Sequence, residues 1–259
     1  MIALVDRYIK IRRAAGYAVS RTERRLQGFA RFASDRGDTH IRTETALDWC
    51  GQAASPHARH LRLRELVRLA RHLRAEDARH ELPPAHRHPP HTANLIPYLY
   101  SAEDLRRILD AASRRGPERS SCGETYWTLF GLLAAAGLRV GEALRLQLRD
   151  LDDQGLAVRE TKFKKSRFVP LHPTTHRALQ VYRSRWRRLA APADPLFVSI
   201  KGDALHYNSV HKMFNTILRE LGLRAPSGST TTRSKGPRLH DLRHTFAMRA
   251  LEDSPDGRD

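Results

Sequence analysis

Apolar side chains recur every three or four residues over most of the first 80 positions, which predicts a series of short helices. The positions that mark these helices are Leu4, Tyr8, Ile11, Leu26, Phe29, Ala33, Leu66, Ala70 and Leu73. Ser20 stands three residues before Glu23, which favours a capping box at the start of the second helix. Ser55-Pro56 similarly favours the start of the fourth helix. The first segment is therefore predicted to be all-helical.

Residues 82–97, LPPAHRHPPHTANLIP, contain five prolines and show no helical period, which is typical of a linker. Three histidines lie in this stretch, at positions 86, 88 and 91. A flexible histidine-rich tract binds metal ions weakly, so we expect no metal site there. The chain is thus predicted to hold a helical N-terminal domain at 1–82, a linker at 83–100 and a second domain at 101–259.

The second domain shows both helical and strand periodicity. Ser101 and Asp104 form a cap pattern, and the apolar run from Tyr126 to Ala136 predicts a buried helix that ends at Gly137. LAVRETKFKKSRFVPLH alternates in two short runs around a lysine-rich turn, which predicts a β-hairpin. Further apolar residues at helical spacing are Leu179, Tyr182, Trp186, Leu189, Val210, Phe214, Ile217 and Leu221. We expect a mainly α protein with a small β-hairpin, of the α+β class.

The charge balance of the 259 residues points to a polyanionic partner. Lys and Arg number 46 against 28 Asp and Glu, which gives a net charge of +18 and a pI of about 10.9. A soluble protein this basic usually binds nucleic acid, although GC-rich coding drift also enriches arginine and alanine. Six arginines crowd the outer face of the predicted fourth helix: Arg59, Arg62, Arg64, Arg68, Arg71 and Arg74. They predict either a DNA-facing surface or a merely solvated one.

Several other classes of protein are disfavoured. No run of 18 apolar residues occurs, so a membrane span is not expected, and the N-terminus MIALVDRYIKIRR lacks the order of a signal peptide. The two cysteines, Cys50 and Cys122, have no CxxC spacing. We therefore expect no disulfide framework and no cysteine zinc site, and a reducing, cytoplasmic location.

Three basic stretches of the second domain carry candidate chemistry. Arg139 lies in GLRVGE, Lys162 lies in the predicted hairpin, and His240 and Arg243 lie in HDLRH. On a helix, His240 shares one face with Arg243 and His244. Two guanidinium groups, one ammonium and one imidazole are able to clamp a phosphate, because arginine binds its oxygens in a fork and histidine moves protons near neutral pH.

Each stretch also has a plain structural interpretation. Arg139 stands where surface or capping arginines are common. Lys162 lies in a cluster of lysines and Arg167, which is also typical of a solvated hairpin. A histidine three residues before an arginine occurs by chance in many basic helices. His240 and His244 have metal-ligand spacing, but no acidic or cysteine partner fits a zinc site, so we expect neither a metal nor a cofactor.

Taken in order, these stretches resemble the motifs of the tyrosine recombinase, or phage integrase, family. AAGYAVSRTERRLQGFARFASDRG is similar to its N-terminal core-binding domain, and AAAGLRVGEALRLQLRDLD to its first arginine motif. TKFKKSRFVPLH resembles its lysine hairpin, and RLHDLRHTFAMRAL its His-x-x-Arg motif. The resemblance covers most of the chain and implies a helical core-binding, DNA-binding domain followed by an integrase-type catalytic domain.

The resemblance implies a metal-independent exchange of DNA strands. A tyrosine hydroxyl attacks a backbone phosphate, forms a 3′-phosphotyrosyl link and releases a 5′-hydroxyl, so no ATP is needed. Arg139 and Arg243 would bind the nonbridging oxygens of that phosphate. Lys162 would protonate the leaving 5′ oxygen, and His240 would act as acid/base or hydrogen-bond donor. Glu142 would support the arginine site.

The sequence departs from the family pattern after the His-x-x-Arg motif. In the family a further His or Trp motif and the nucleophilic tyrosine follow that helix, whereas all seven tyrosines here precede it, at positions 8, 17, 98, 100, 126, 182 and 207. We therefore predict a chain that is truncated before the nucleophile and inactive by itself in strand cleavage. The full-length protein is expected to bind duplex DNA as a homo-oligomer, a tetramer on paired sites.

A second hypothesis is a non-catalytic DNA-binding regulator or competitor on the same fold. It requires salt-dependent DNA binding that survives the loss of Arg139 and Arg243 together. An RNA-binding role is disfavoured, because the sequence has no aromatic-rich motif for stacking on bases.

Overall fold

The computed structural model of the chain describes residues 1–17, 19–87, 96–159, 166–188, 190–225 and 236–253. The chain divides into two units, Met1–Asn94 (unit 1) and Leu95–Asp259 (unit 2), each with its own apolar core. The domain limits expected from the sequence, at residues 82 and 101, stay predictions.

Unit 1 is helical. Its elements are α1 (Ile2–Ala14), α2 (Ser20–Asp35), α3 (Thr43–Gly51), α4 (Pro56–Arg74) and a 3₁₀ turn at Ala85–Arg87. The apolar stripes predicted for α2 and α4 are buried, but Ile11 of α1 is 47% exposed. The buried face of α1 is centred on Val5, and Ile11 lies six residues on, about 120° around the helix.

The two predicted helix starts of unit 1 have different outcomes. Ser55 caps α4, since its hydroxyl accepts the Ala58 N–H at 3.2 Å, as predicted. The capping box between Ser20 and Glu23 is wrong, because Ser20 is already helical and no side chain caps α2. Glu23 instead accepts a hydrogen bond from Arg13 at 2.8 Å, which ties α2 to the end of α1.

Unit 2 contains six helices among its described residues and one hairpin. The elements are α5 (Ala102–Ser113), α6 (Cys122–Ala136), α7 (Val140–Ala143), β1 (Gly155–Val158), β2 (Arg167–Pro170), α8 (Pro173–Trp186), α9 (Tyr207–Glu220) and α10 (Asp241–Glu252). The capping box of Ser101 and Asp104 opens α5, as predicted. In the stretch VGEALRLQL only a single helical turn forms, α7, and a 3₁₀ turn at Leu148–Asp150 follows it.

The hairpin pairs β1 and β2 antiparallel, with Gly155 opposite Pro170 and Val158 opposite Arg167. Phe168 and Pro170 are exposed, while Arg167 and Val169 lie on the inner face, where Val169 packs against the core. The fold is therefore mainly α with a two-stranded antiparallel sheet, which confirms the predicted class.

The core of unit 2 is built around α6, which packs against α5, α8 and α10. Being apolar on most of its circumference, α6 is suited to the centre of a helical layer. The rings of Tyr100, Phe130 and Phe214 meet edge to face beside it, with centroid distances of 6.2 Å and 5.0 Å. In the described ranges, no helix combines the length and the apolar character needed to cross a membrane.

Candidate functional site

Gly137 brings two distant parts of the sequence together. It ends α6 with φ of +59°, a left-handed conformation that glycine adopts without strain. Phe246 of α10 lies so close that a Cβ on Gly137 would overlap its ring. As a result, the residues that follow Gly137 lie beside α10.

Arg139 precedes α7 and is held by a carboxylate three residues on. Its backbone N–H donates to Glu142 Oε2 at 3.0 Å, and its Nη1 donates to Oε1 at 2.7 Å. The Glu142 side chain is 2% exposed, whereas that of Arg139 is 44% exposed. The support that Glu142 gives to Arg139 is therefore a direct ion pair with a buried anion.

Arg167, at the start of β2, binds the same carboxylate. Its Nη1 and Nη2 donate to Glu142 Oε1 and Oε2 at 3.3 Å and 2.7 Å. The sequence offered Arg167 only as a solvated member of the basic hairpin. The alternation of the strand could have indicated its inward orientation. Arg167 lies two residues before Val169 and therefore on the same, inward face of β2.

Glu142 stays ionised over the physiological range despite its burial. Burial raises the pKa of Glu142, but the hydrogen bonds from Arg167 and Arg139 outweigh this effect. The net result is a pKa lowered to about 2. At neutral pH one full negative charge therefore stands between two guanidinium groups.

Arg243 of α10 completes a group of three guanidiniums. Its Nη1 donates to the carbonyl oxygen of Gly137, two residues before Arg139. Burial lowers the pKa of Arg243, the charge of Arg139 lowers it further, and Glu142 opposes the shift. One carboxylate thus faces three cations, which leaves an excess of positive charge suited to an anion such as phosphate.

His240 is the residue that directly precedes α10, and it is exposed. Its ring lies edge to face with that of His244, with a centroid distance of 5.0 Å, so the predicted neighbourhood of the two histidines is present. Although His240 is exposed, the protein around its ring removes some of its hydration and lowers its pKa, and the charges of His244 and Arg243 lower that pKa further. A neutral imidazole next to Arg243 is able to exchange a proton or donate a hydrogen bond.

Lys162 lies outside the described residues, which leave out 160–165. The residues that flank this gap are both anchored. Arg159 donates through Nε to the buried Asp150 at 2.6 Å, and Arg167 binds Glu142. One arginine–carboxylate pair therefore ties the residue after β1 to the 3₁₀ turn at Leu148–Asp150, and the other ties β2 to α7.

Three tyrosine hydroxyls of unit 2 are engaged in hydrogen bonds. Tyr100 donates to the Arg238 carbonyl at 2.9 Å, and Tyr182 shares a hydrogen bond of 3.0 Å with Thr125. Tyr98 donates to Asp104 at 3.0 Å. Burial raises the pKa of Tyr126 and of the three others. The hydroxyls of Tyr98, Tyr100 and Tyr182 are therefore each committed to a hydrogen bond within unit 2.

The arginines of α4 divide into two groups. Arg59, Arg62 and Arg74 donate to backbone carbonyls within unit 1. Arg64 and Arg68 are exposed instead, and both pair with the buried Glu65, at 3.3 Å and 3.4 Å.

Arg64 and Arg68 line a shallow cavity of about 270 Å³ together with Arg71. These three arginines are exposed, and together they are called the α4 stripe.

One group of side chains in the described part of unit 1 has the spacing of metal ligands. His40, Asp77 and His80 place a nitrogen or oxygen atom each within 4.8 Å of one another. The N–H of Ile41 donates to His80 Nδ1 at 3.1 Å, however, so the neutral His80 ring carries its proton on Nε2. His80 therefore has no free lone pair, and these contacts are better explained as structural.

Unit 1 is expected to lose stability as the pH falls below about 6.5, the usual pKa of histidine. Burial lowers the pKa of His80. Nearby positive charge lowers it further, from His40, Arg79 and the N-terminus, whereas the negative charge of Asp77 opposes the shift. At His80 the folded state thus binds a proton less readily than the unfolded state. The stability that His80 contributes to unit 1 is therefore complete above about pH 6.5 and is lost as the pH falls below it. Pulse proteolysis of the chain between pH 8 and 5, with the fragments assigned by mass spectrometry, measures this loss.

His80→Asn is the matched control for the pH dependence. An asparagine oxygen can accept the Ile41 N–H but does not titrate, so the pH dependence of unit 1 should flatten. An unchanged pH profile in His80→Asn would assign the effect to another group.

Several of the known proteins that this chain resembles are named as integrases or recombinases. Residues 99–258 match the sequence profile of the phage integrase family. A putative integrase/recombinase y4rB of Sinorhizobium fredii is 40% identical over 257 residues, which cover 95% of this chain and 80% of that protein. Tyrosine recombinase XerC of Brucella suis is 30% identical over 165 residues, covering 62% and 49%.

Among solved structures, a lambda integrase dimer bound to a COC′ core site aligns with 99% of this chain and 91% of that one. The TM-score is 0.69 at 19% sequence identity, which supports a shared fold.

Proposed function

This chain belongs to the phage integrase family, whose members act in site-specific DNA recombination, and from that premise we propose that Arg139 and Arg243 bind the phosphate at which a DNA strand is cut. The proposal rests on the convergence of these two arginines. They lie 104 positions apart in sequence, yet Arg243 donates to the carbonyl of Gly137, and burial together with the charge of Arg139 lowers its pKa.

The excess positive charge suits the transition state of phosphoryl transfer. As a tyrosine oxygen attacks phosphorus, negative charge grows on the nonbridging oxygens, and prearranged guanidinium groups stabilise it. The bond to the 5′ oxygen breaks, and that oxygen takes a proton from Lys162. His240 assists the proton transfers. The product is a 3′-phosphotyrosyl link, which the 5′-hydroxyl of a second strand reverses without ATP.

The attacking tyrosine is, in this proposal, none of the seven in residues 1–259. The contacts of Tyr98, Tyr100 and Tyr182 support this, since each hydroxyl is bonded to another group. The nucleophile would come from a further segment or from another protomer. The lambda integrase relative was solved as a dimer on DNA, which supports a homo-oligomer on duplex DNA here, a tetramer when two sites are paired.

Unit 1 would contribute sequence-independent contacts to DNA through the α4 stripe. Arg64 and Arg68 are exposed, and the buried Glu65 restricts the orientation of both. Guanidinium groups held in this way are suited to consecutive backbone phosphates.

Duplex DNA binding is expected to weaken steeply with salt, and Arg64→Gln/Arg68→Gln should reduce the log–log salt slope by about 2, because each lost phosphate contact removes about one counterion. Fluorescence anisotropy of a labelled duplex over a salt series measures the slope. The matched control is Arg13→Gln/Arg36→Gln, which removes the same charge from arginines paired with Glu23 and Asp48. An equal change in both variants would show that only the net charge matters and would exclude the α4 stripe.

A non-catalytic DNA-binding competitor is the second candidate, and the hydrogen bonds that engage the hydroxyls of Tyr98, Tyr100 and Tyr182 favour it. The two candidates differ when a tyrosine is supplied. We expect the chain extended by a tyrosine-bearing C-terminal segment to form covalent adducts with nicked suicide substrates, detected by denaturing gel electrophoresis. The same extension with phenylalanine in place of the tyrosine is the control. Intact DNA binding without adducts would leave the competitor as the better account.

A further inference from the structure

Two arginines from different elements share the carboxylate of Glu142. Arg139, before α7, donates to Oε1 at 2.7 Å, and Arg167, on β2, donates to both oxygens. The Glu142 side chain is almost fully buried, whereas Arg139 and Arg167 are 44% and 37% exposed. Each guanidinium is therefore fixed on its inner side and accessible on its outer side.

The two arginines hold the carboxylate in different ways. Arg167 uses both terminal nitrogens in a fork, which defines the plane of the carboxylate. Arg139 uses one terminal nitrogen and its backbone N–H, so its side-chain orientation follows the orientation of Glu142. Because both terminal nitrogens of Arg167 donate to Glu142, Arg167 is placed to act through this carboxylate.

We propose that Arg167 is a positioning residue of the phosphate site. Through Glu142 it fixes the guanidinium of Arg139 in the orientation that binds phosphate, and it ties the first residue of β2 to α7. The inference deepens the proposed function and rests on it, since it requires Arg139 to contact phosphate.

A double-mutant cycle on the chain tests this role, with inorganic phosphate as the probe. Affinities are measured by ³¹P NMR titration at constant ionic strength. Arg139→Ala should weaken binding about tenfold, the scale of one lost charge-assisted hydrogen bond. Arg167→Gln should weaken it by about three- to tenfold. The double variant should bind no more weakly than Arg139→Ala alone, because Arg167 acts through Arg139.

The conservative variant Arg167→Lys separates the fork from the charge. Lysine keeps the positive charge but cannot form two parallel bonds to one carboxylate, so its phosphate affinity should also fall below that of the original chain. Affinity equal to that of the original chain would overturn the proposal. Circular dichroism at the titration temperature checks that each variant is folded. If Arg167→Gln is unfolded, the comparison of Arg167→Lys with the original chain decides the test.

Arg159→Gln is the matched control on the same hairpin. Arg159 binds a different buried carboxylate, Asp150, at 2.6 Å, so its loss loosens the hairpin without removing a bond to Glu142. Phosphate affinity should stay within about twofold of the original value, the scatter expected for an uncoupled site. Equal weakening by Arg159→Gln and Arg167→Gln would indicate general loosening and overturn the proposal.

The outcomes separate this inference from the proposed function. If Arg139→Ala leaves phosphate binding unchanged, the proposed phosphate site itself is wrong. If Arg139→Ala weakens binding but Arg167→Gln does not, only the positioning role fails. If the effects of Arg139→Ala and Arg167→Gln multiply in the double variant, Arg167 contacts the anion independently, and the positioning role also fails.

Discussion

Replacing Gly137 by alanine is expected to lower the free energy of unfolding of unit 2 by about 3 kcal/mol, and to disturb the proposed phosphate site at the same time. A left-handed residue with a Cβ costs about 1 kcal/mol or more, and overlap with the Phe246 ring adds a packing penalty of about 1–3 kcal/mol. Hydrogen–deuterium exchange of peptides from α6 and α10 measures the loss. The carbonyl that Arg243 bonds would shift as well.

Gly222→Ala is the matched control for Gly137→Ala. Gly222 also has a positive φ, +71°, but a Cβ there meets nothing within 4 Å. Its replacement should therefore cost only the conformational penalty, about 1 kcal/mol. Combining Gly137→Ala with Phe246→Ala should cost less than the two single changes together, because removing the ring relieves the overlap. Equal costs for Gly137→Ala and Gly222→Ala would contradict the close approach of α10.

Arg243→Ala is expected to reduce the rate of covalent adduct formation by about 10²–10³-fold in the chain supplied with a tyrosine, as loss of one preorganised charge donor does in other enzymes. Duplex binding should change by less than about threefold, since many other basic groups contact the backbone. Single-turnover adduct formation on a suicide substrate, with affinity measured in parallel, separates the two effects.

Arg249→Ala provides the control on the same helix. Arg249 donates to the backbone carbonyl of Tyr100 at 2.9 Å, as Arg243 does to that of Gly137, but it is not in the guanidinium group around Glu142. Its loss should leave the adduct rate within about threefold, the range of an uncoupled contact. An adduct rate in Arg243→Ala as high as in the parent would refute the role of Arg243.

Local signals predicted much of the fold. The caps at Ser55 and Ser101 and the stop at Gly137 depend on hydrogen bonds and dihedral angles within a few residues, so sequence spacing was sufficient. The hairpin followed from alternation in the same way. The capping box at Ser20 failed because Glu23 has a partner in another helix, Arg13, which spacing along one helix cannot reveal.

The group of side chains around Glu142 was predictable only in part, for a related reason. Arg139, Arg243 and His240 were recognisable as ordered motifs, and Glu142 as their support. Arg167 was not, because its proposed role depends on a contact with Glu142 across 25 positions. Periodicity indicates on which face of a strand a residue lies, but it does not identify the residue of another element that this face contacts.

The sharing of Glu142 also limits the order in which substitutions can accumulate in a lineage. If Arg167 were lost first, Glu142 would still be paired with Arg139, and the buried carboxylate would keep a counter-ion. Loss of Glu142 first would leave neighbouring cations without their counter-ion in a partly enclosed space. Descendants that drift from this arrangement are therefore expected to change at position 167 before position 142.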